Sequence, residues 1–361
     1  MRGQALMAEL VWKGKHQPHN ENVFTFQGQS ILQNSPQQLM TRAYYPEQQG
    51  EPEVPFSFSH EWQNRLIQGD KREVLPALQR EFSGAIDLIY IDPPFMTGRT
   101  FNSGTQVAYS DTWNNDQDSY LQWLYETLHL LYTLLTVDGS LYIHLDWRAT
   151  HHARLMLDEI FGSQLQLEGA GFKNEIIWYY QSGGRSKKYF ARKHDSILLY
   201  TKSGHYCFQS ERVGMRRGTQ KRNHMRKEVG VDGRISWSIR SAGRIYTYSE
   251  DSTMSVEDVW SDISHLHQRD PERTGYATQK PEALLERIIQ VSSEEHDLVL
   301  DCFCGSGVTP VVAEKLGRRW IACDQSPLAI TTTRDRLLIA QSVQPFALQY
   351  VEKTDDTPPI L

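Results

Sequence analysis

The run Leu88-Ile89-Tyr90-Ile91 is uninterruptedly apolar and stops at Asp92-Pro93-Pro94-Phe95. Apolar residues on both sides of a short strand suit a parallel sheet covered on both faces, and two consecutive prolines end that strand and stiffen the loop after it. Open α/β sheets place their chemistry at the carboxyl ends of such strands, so Asp92 is presented where a ligand would be met. Asp92, the Pro93 carbonyl and the Phe95 ring offer two acceptors beside one flat apolar surface, with Pro94 holding the turn rigid. Taken alone, the same four residues also suit a strand followed by a proline turn with a capping aspartate.

A second motif narrows the choice. Asp297-Leu298-Val299-Leu300-Asp301-Cys302-Phe303-Cys304-Gly305-Ser306-Gly307 reads as a buried strand turning through Gly-x-Gly into a helix over about 309–316. Glycines at that turn allow close backbone approach to a ligand, and the helix N-terminus favours an anionic group. A lone Gly-x-Gly says little. Here the next strand, 319–323, ends in Asp324, where nucleotide-binding folds put an acid on ribose hydroxyls. Strand, glycine turn, helix, strand and acid together point to an adenosine-containing cofactor. Asp70, at the end of the short strand 65–70, suits a helix N-cap, and also an acceptor for a ribose or an adenine amino group.

Charge is unevenly distributed. Residues 171–250 carry 17 Lys/Arg against 6 Asp/Glu, net +11, which leaves −17 for the rest of a chain whose total is −6. An acidic body with one basic segment suits an enzyme that grips a polyanion through a dedicated region, and a solvated charge-rich insertion is the alternative. Cations suited to phosphates are Arg185, Lys187 and Lys188 in a Gly-rich loop, then Arg216-Arg217 and Lys221-Arg222. Arg240 and Arg244, interleaved with Trp237, Tyr246 and Tyr248, are better placed to read base edges.

The chain divides into an N-terminal arm over 1–57, rich in Gln, Asn and Pro, a first half of the main domain over 58–202, the basic region over 203–275, a second half over 276–345 and a tail over 346–361. The glycine-punctuated stretch 96–104 is too irregular for a helix and reads as a substrate-side loop. Four cysteines, unevenly spaced, indicate free thiols and no metal site. Neither a membrane span nor a secretory signal is indicated, so a cytoplasmic location is expected.

Asp92-Pro93-Pro94-Phe95 preceding Phe303-Cys304-Gly305-Ser306-Gly307, with Thr278-Gln279-Lys280-Pro281 before the latter, resembles the permuted beta-class S-adenosylmethionine-dependent amino methyltransferases of DNA. The closest likeness is to modification enzymes of bacterial restriction-modification systems. Asn174-Glu175-Ile176-Ile177-Trp178 and His194-Asp195-Ser196-Ile197-Leu198 extend it, so that it covers about 62–340. The resemblance implies a Rossmann-like α/β fold: a mostly parallel seven-stranded sheet with helices on both faces, circularly permuted motif order and an inserted target-recognition region. It implies S-adenosyl-L-methionine as cofactor, with Phe303, Gly305, Ser306 and Gly307 at its methionine part, Asp301 in the same turn, Asp324 on the ribose, Asp70 near the adenine and Lys280 near the methionine end. Asp92 to Phe95 become the catalytic turn, acting on a flipped-out base by direct methyl transfer. Departures from the family pattern are small: Cys302 stands where proline is frequent, and Phe95 where tyrosine is commoner.

An initial Asp in the turn resembles enzymes acting on adenine N6. Cytosine-N4 methylation is the alternative, since both amines need the same acceptor pair, and a DNA-binding subunit with a vestigial cofactor site is a third reading. Double-stranded DNA is the expected partner. A cognate restriction endonuclease and a homodimer are left open by the sequence.

Overall fold

The structure is a computed structural model that describes residues 10–17, 39–45, 62–104, 106–113, 116–163, 167–180, 186–217, 224–340 and 344–351. After β1 (Leu39–Tyr45) the main body runs β2 (Asn64–Gln68), α1 (Lys71–Phe82) and β3 (Ile86–Ile91). A hairpin follows, β4 (Arg99–Ser103) and β5 (Gln106–Asp111), then α2 (Gln117–Leu134), β6 (Leu135–Leu145), α3 (Thr150–Ser163), β7 (Gly171–Tyr179) and β8 (His194–Thr201). A second compact unit, Phe208–Asp258, holds β9 (Met215–Arg216), β10 (Arg226–Val229), β11 (Ile235–Ser241), β12 (Arg244–Ser249) and β13 (Thr253–Met254). The chain then returns to the first unit with β14 (Val259–Trp260), α4 (Glu282–Ser292), β15 (Leu298–Asp301), α5 (Val308–Lys315), β16 (Arg319–Asp324), α6 (Pro327–Ile339) and β17 (Phe346–Val351).

The main sheet has the order β1-β17-β2-β16-β15-β3-β6-β8-β7-β14. Seven consecutive members, from β2 to β7, make the mostly parallel methyltransferase-type sheet expected from the sequence, with only β8 antiparallel to its neighbours. The sheet is wider than seven because β17 and β1 extend one edge and the two-residue β14 the other. Residues 346–351, expected as part of a tail, are thus a sheet strand, and 39–45 in the expected arm pair with it. Phe346, Leu348 and Tyr350 alternate along that strand and Pro345 punctuates its start, a signal that the expected tail passed over.

Alternation along the strands feeds two helical layers. Ile67, Ile89, Ile91, Leu141, Ile143 and Leu300 share one apolar cluster with residues of α1, α2 and α3. Their sequence neighbours Leu88, Tyr90, Tyr142 and Val299 are also buried, and the Tyr142 hydroxyl meets Ser292 of α4 at 2.7 Å, so α4 lies on the other face. Each such Leu or Ile contributes about 1.5–3 kcal/mol by leaving water. Among the described residues, no helix is long and apolar enough to cross a membrane.

The basic region also divides differently. Only 208–258 forms the second unit, a three-stranded antiparallel sheet β10-β11-β12 beside the small β9·β13 pair, whereas 259–275 stays with the main body. In the second unit Trp237 is fully buried, with the Lys227 ammonium 5.8 Å from its ring centre. Weak periodicity hid these strands, because β10 and β12 carry mostly exposed residues and so lack the alternating signal.

Candidate active site

β3 and β15 lie side by side in parallel, pairing Leu88 with Val299 and Ile89 with Leu300, so the proline turn and the glycine turn emerge at the same sheet edge. One cavity is lined by Asp92, Pro93, Pro94 and Phe95 together with every expected cofactor residue except Gly307. Gly307, the N-cap of α5, follows the lining residue Ser306 in the chain.

Within the proline turn, the Pro94 carbonyl accepts a hydrogen bond from the Tyr120 hydroxyl at 2.9 Å, which holds the turn against α2. Asp92 Oδ2 pairs with the Lys280 ammonium, while Asp92 Oδ1 is buried without a hydrogen-bond partner. Lys280 also lies 5.5 Å from the centre of the Phe95 ring. It therefore faces the catalytic turn, a position the resemblance alone did not assign to it. Gln279 braces this lysine by closing the preceding loop: its amide oxygen accepts from the Thr274 amide at 2.8 Å and its amide nitrogen donates to the Glu272 carbonyl at 2.9 Å.

The glycine turn is held by two carboxylates. Asp301 accepts from the Phe303 amide at 2.9 Å and from the Thr309 hydroxyl at 2.5 Å, so both of its oxygens serve the turn itself. Burial drives the Asp301 pKa up to about 7 despite those bonds. Asp324 accepts from the Gly305 amide at 3.0 Å and the Ser326 amide at 2.9 Å, and each oxygen keeps a lone pair toward the cavity. Burial raises the Asp324 pKa to about 6, with the Ser326, Gly305 and Gln325 amides opposing. Asp70 caps α1 by accepting from the Arg72 amide at 2.8 Å, as its N-cap reading expects, pairs with the Arg72 guanidinium at 2.7 Å, and lines the same cavity.

Several contributors were not read from the sequence. Asp111, buried at the end of β5, accepts from the Met96 amide at 3.0 Å, from the Thr97 amide and hydroxyl each at 2.7 Å, and from Trp113 Nε1 at 2.8 Å. It pins the residue after Phe95, where Met96 is held at a φ of 60°. Within 96–104, expected as a substrate-side loop, residues 99–103 are thus a strand that pairs with 106–111. His144, fully buried, lies nearly parallel to Phe95 with ring centres 6.2 Å apart and planes 20° apart. Its Nδ1 meets the Tyr90 hydroxyl at 3.0 Å and its Nε2 meets Asp195 at 3.2 Å, and Asp195 accepts from Tyr180 at 2.9 Å. Burial opposes ionisation of Asp195, yet its bonds to His144 and the nearby Lys280 charge outweigh that and leave its pKa below the ordinary value. Lys71, buried at the start of α1, holds its ammonium 4.1 Å from the Trp123 ring centre, and burial lowers its pKa to about 7. Local sequence does not give these residues their roles, because the partners of His144 and Lys71 lie 51 to 56 residues away and those of Asp111 at Met96 and Thr97 are brought back only by the hairpin.

Of the expected DNA-contacting cations, Lys187 and Lys188 are exposed in the segment before β8. Arg216, Arg240 and Arg244 are exposed in the second unit, the last two near the β11–β12 turn. Arg217 instead packs its guanidinium 4.2 Å from the Tyr248 ring centre and donates to Ser252 at 3.0 Å. Arg185, Lys221 and Arg222 lie outside the described residues.

Comparison with known proteins agrees with this architecture. The N6/N4 family model described as DNA methylase matches residues 86–335. Type II methyltransferase M.EcaI of Enterobacter cloacae is 28% identical over 326 residues, covering 77% of this chain and 70% of that one. DNA adenine methyltransferase YhdJ of Escherichia coli K12 is 27% identical over 290 residues, covering 80% and 87%. Among solved structures, the cytosine-N4-specific PvuII DNA methyltransferase superposes with a TM-score of 0.51 at 16% identity, covering 78% of this chain and 88% of that one, a likeness of fold. A match to the family model over more than half the chain, on a sheet whose proline and glycine turns share one cavity, makes this protein a member of the N6/N4 DNA methylase family.

Proposed function

We propose that the protein transfers a methyl group from S-adenosylmethionine to the N6 amino group of adenine at a specific site in duplex DNA. The observation that carries this reading is the Asp92 carboxylate at the end of β3, with one oxygen buried and unpartnered, in a cavity shared with Gly305 and Asp324. The residues present fit the donor: Asp324 keeps acceptor capacity for ribose hydroxyls, and at Gly305 an added Cβ would come within 3.3 Å of the Tyr276 ring. Phe303, Gly305 and Ser306 would hold its amino-acid part and Asp70 its adenine end. When bound, it supplies an electrophilic methyl group on a positively charged sulfur.

The chain's own task is to make a poor nucleophile attack. An adenine amino nitrogen has its lone pair delocalised into the ring. Acceptance of its two N–H bonds by Asp92 and the Pro93 carbonyl favours a pyramidal nitrogen with the lone pair free. Phe95, backed by His144, supplies the flat surface for the base. Positioning of this kind gives most of the rate enhancement, with no covalent enzyme intermediate. The base must leave the helix to reach the turn, at about a few kcal/mol, which phosphate contacts help offset. The YhdJ likeness supports adenine, as does the initial aspartate. Modification-sensitive sequencing of DNA from cells expressing the protein tests the reading. N6-methyladenine in one sequence context is the expected result. N4-methylcytosine would transfer the assignment to the other base, and unmodified DNA would leave a binding subunit.

Cofactor binding should depend on pH through Asp324. Its pKa of about 6 in the free protein lies above the ordinary carboxylate value, so the protonated form persists into the weakly acidic range. Ribose hydroxyls donate more strongly to the ionised form, and binding therefore favours release of a proton below about pH 6. Affinity should rise from pH 5 to pH 7, by at most about tenfold per unit. In the free protein the sign is opposite: raised carboxyl pKa values stabilise the fold below about pH 4, and that contribution is lost as pH rises through about 6. Asp324→Ala should weaken binding by about 1–3 kcal/mol at pH 8 and flatten the pH profile. Calorimetry in buffers of different ionisation enthalpy measures both, and an unchanged profile would remove Asp324 from the ribose.

A further inference from the structure

Beyond the cavity, one surface has a composition that the proposed chemistry has not used. β7 ends and β8 begins at the sheet edge where β3 ends, since β7 runs parallel to β6 and β3, and β8 antiparallel to both. The segment leading into β8 carries Phe190 at 97% exposure and Tyr189 at 60%, and Trp147, just past the end of β6, is 46% exposed. These rings are not loosely arrayed. The Arg192 guanidinium lies 3.9 Å from the Trp147 ring centre and 4.8 Å from that of Tyr189, and Arg148 lies 4.8 Å from Trp147 on its other contact. Ser186 caps the segment by accepting from the Lys188 and Tyr189 amides at 3.3 and 3.2 Å. At its base the Tyr180 amide donates to the Lys193 carbonyl at 2.9 Å.

Aromatic rings held by guanidinium groups, with Lys187 and Lys188 exposed beside them, complement one kind of partner well: a stack of bases flanked by phosphates. Exposed Phe190, Tyr189 and Trp147 together make a patch of the kind that marks an interaction site, and proteins that distort a duplex insert such side chains between base steps. The patch is also tied to the catalytic turn. Asp195, at the start of β8, bonds to His144, whose ring lies along Phe95.

We propose that Phe190, presented by the Trp147–Arg192–Tyr189 stack, enters the duplex beside the target nucleotide and fills the gap left in the base stack when the target turns into the Asp92 cavity. This rests on the DNA-methylation reading and adds to it the element that holds the duplex open. Phe190 makes no contact with the reacting atoms; it acts on the population of opened DNA. Being exposed, it can be replaced without disturbing the fold.

The test uses the full chain and two duplexes bearing its recognised site, one fully paired and one with the target opposite an abasic position, so that opening is already done. Phe190→Ala should slow methylation of the paired duplex by about 10- to 100-fold, the effect of a barrier raised by the unstacking cost, and stay within about twofold of the unsubstituted protein on the abasic duplex. A 2-aminopurine at the target position should lose most of its fluorescence rise on the paired duplex, and Phe190→Leu, which keeps an apolar wedge, should recover much of it. Equal rates on the paired duplex overturn the proposal. So does an equal loss on both duplexes, which would place Phe190 in the chemistry, or dissociation of a dimer by Phe190→Ala in sedimentation, which would make the patch a subunit contact. Failure of the unsubstituted protein to methylate either duplex is a distinct result that overturns the methylation reading and the wedge with it.

Discussion

Replacement of Asp92 by alanine is expected to lower methyl transfer by roughly 100- to 1,000-fold or more, the cost of losing one preorganised group at a reacting centre. Cofactor affinity should stay within a few-fold, because Asp324 and the Phe303–Gly305 turn are held by their own hydrogen bonds, none of which involves Asp92. The structure adds a reason to examine Asp92→Asn beside it. Lys280 pairs with Asp92 Oδ2, and with alanine that ammonium, only 11% exposed, loses its counter-charge. Asparagine keeps the shape and one acceptor, but presents a donor where the amine or Lys280 needs an acceptor. Single-turnover rates with saturating cofactor and DNA separate chemistry from binding. Transfer by Asp92→Ala near the unsubstituted rate would remove Asp92 from catalysis.

A comparably large effect, on stability, is expected for Gly307→Ala. Gly307 has a φ of 76°, its amide donates to the Cys304 carbonyl at 2.7 Å, and a Cβ there would lie 2.7 Å from both Thr333 Cγ2 and Oγ1 and 2.9 Å from Thr333 Cα. Thr333 is buried in α6, so its backbone cannot yield as a surface side chain would. Left-handed backbone costs an alanine about 1–2 kcal/mol and forced overpacking about 1–3, giving a loss of about 2–5 kcal/mol. The midpoint of denaturant unfolding should fall with an unchanged slope. Gly305→Ala is the informative companion. At Gly305, with a φ of 51°, the left-handed penalty applies too, but the nearest atom to an added Cβ is in the Tyr276 ring at 3.3 Å, so stability should suffer less than at Gly307 while cofactor affinity falls. Equal stability of Gly307→Ala and the unsubstituted protein would mean that α5 and α6 can separate at little cost.

The core strands were legible because buried parallel strands leave long apolar runs and end at punctuating residues. β3, β15 and β16 each do so, at Asp92, at Asp301 and at Asp324. Helices α1, α2 and α4 were legible from their spacing of buried Leu and Ile. Edge strands were not. β1 and β17 are interrupted by polar residues and β14 has two residues, so what makes them strands is the neighbour each one finds, Val351 opposite Leu39 or Ile177 opposite Val259.

By itself, then, the sequence determined the local grammar of the central sheet: which buried segments are strands, where each of those stops, and which residues stand at the stops. Local composition governs those features through backbone sterics and burial, and both act within a few residues. Tertiary structure alone decided what the stops do to one another. Lys280 reaches Asp92 across 188 positions of sequence, Asp195 reaches His144 across 51, and Asp111 reaches back to the residues after Phe95. Such pairings depend on strand order, which brings β15 against β3 and β8 against β6. Strand order is set by the summed packing of two helical layers on the sheet, a property of the whole chain that no single segment encodes.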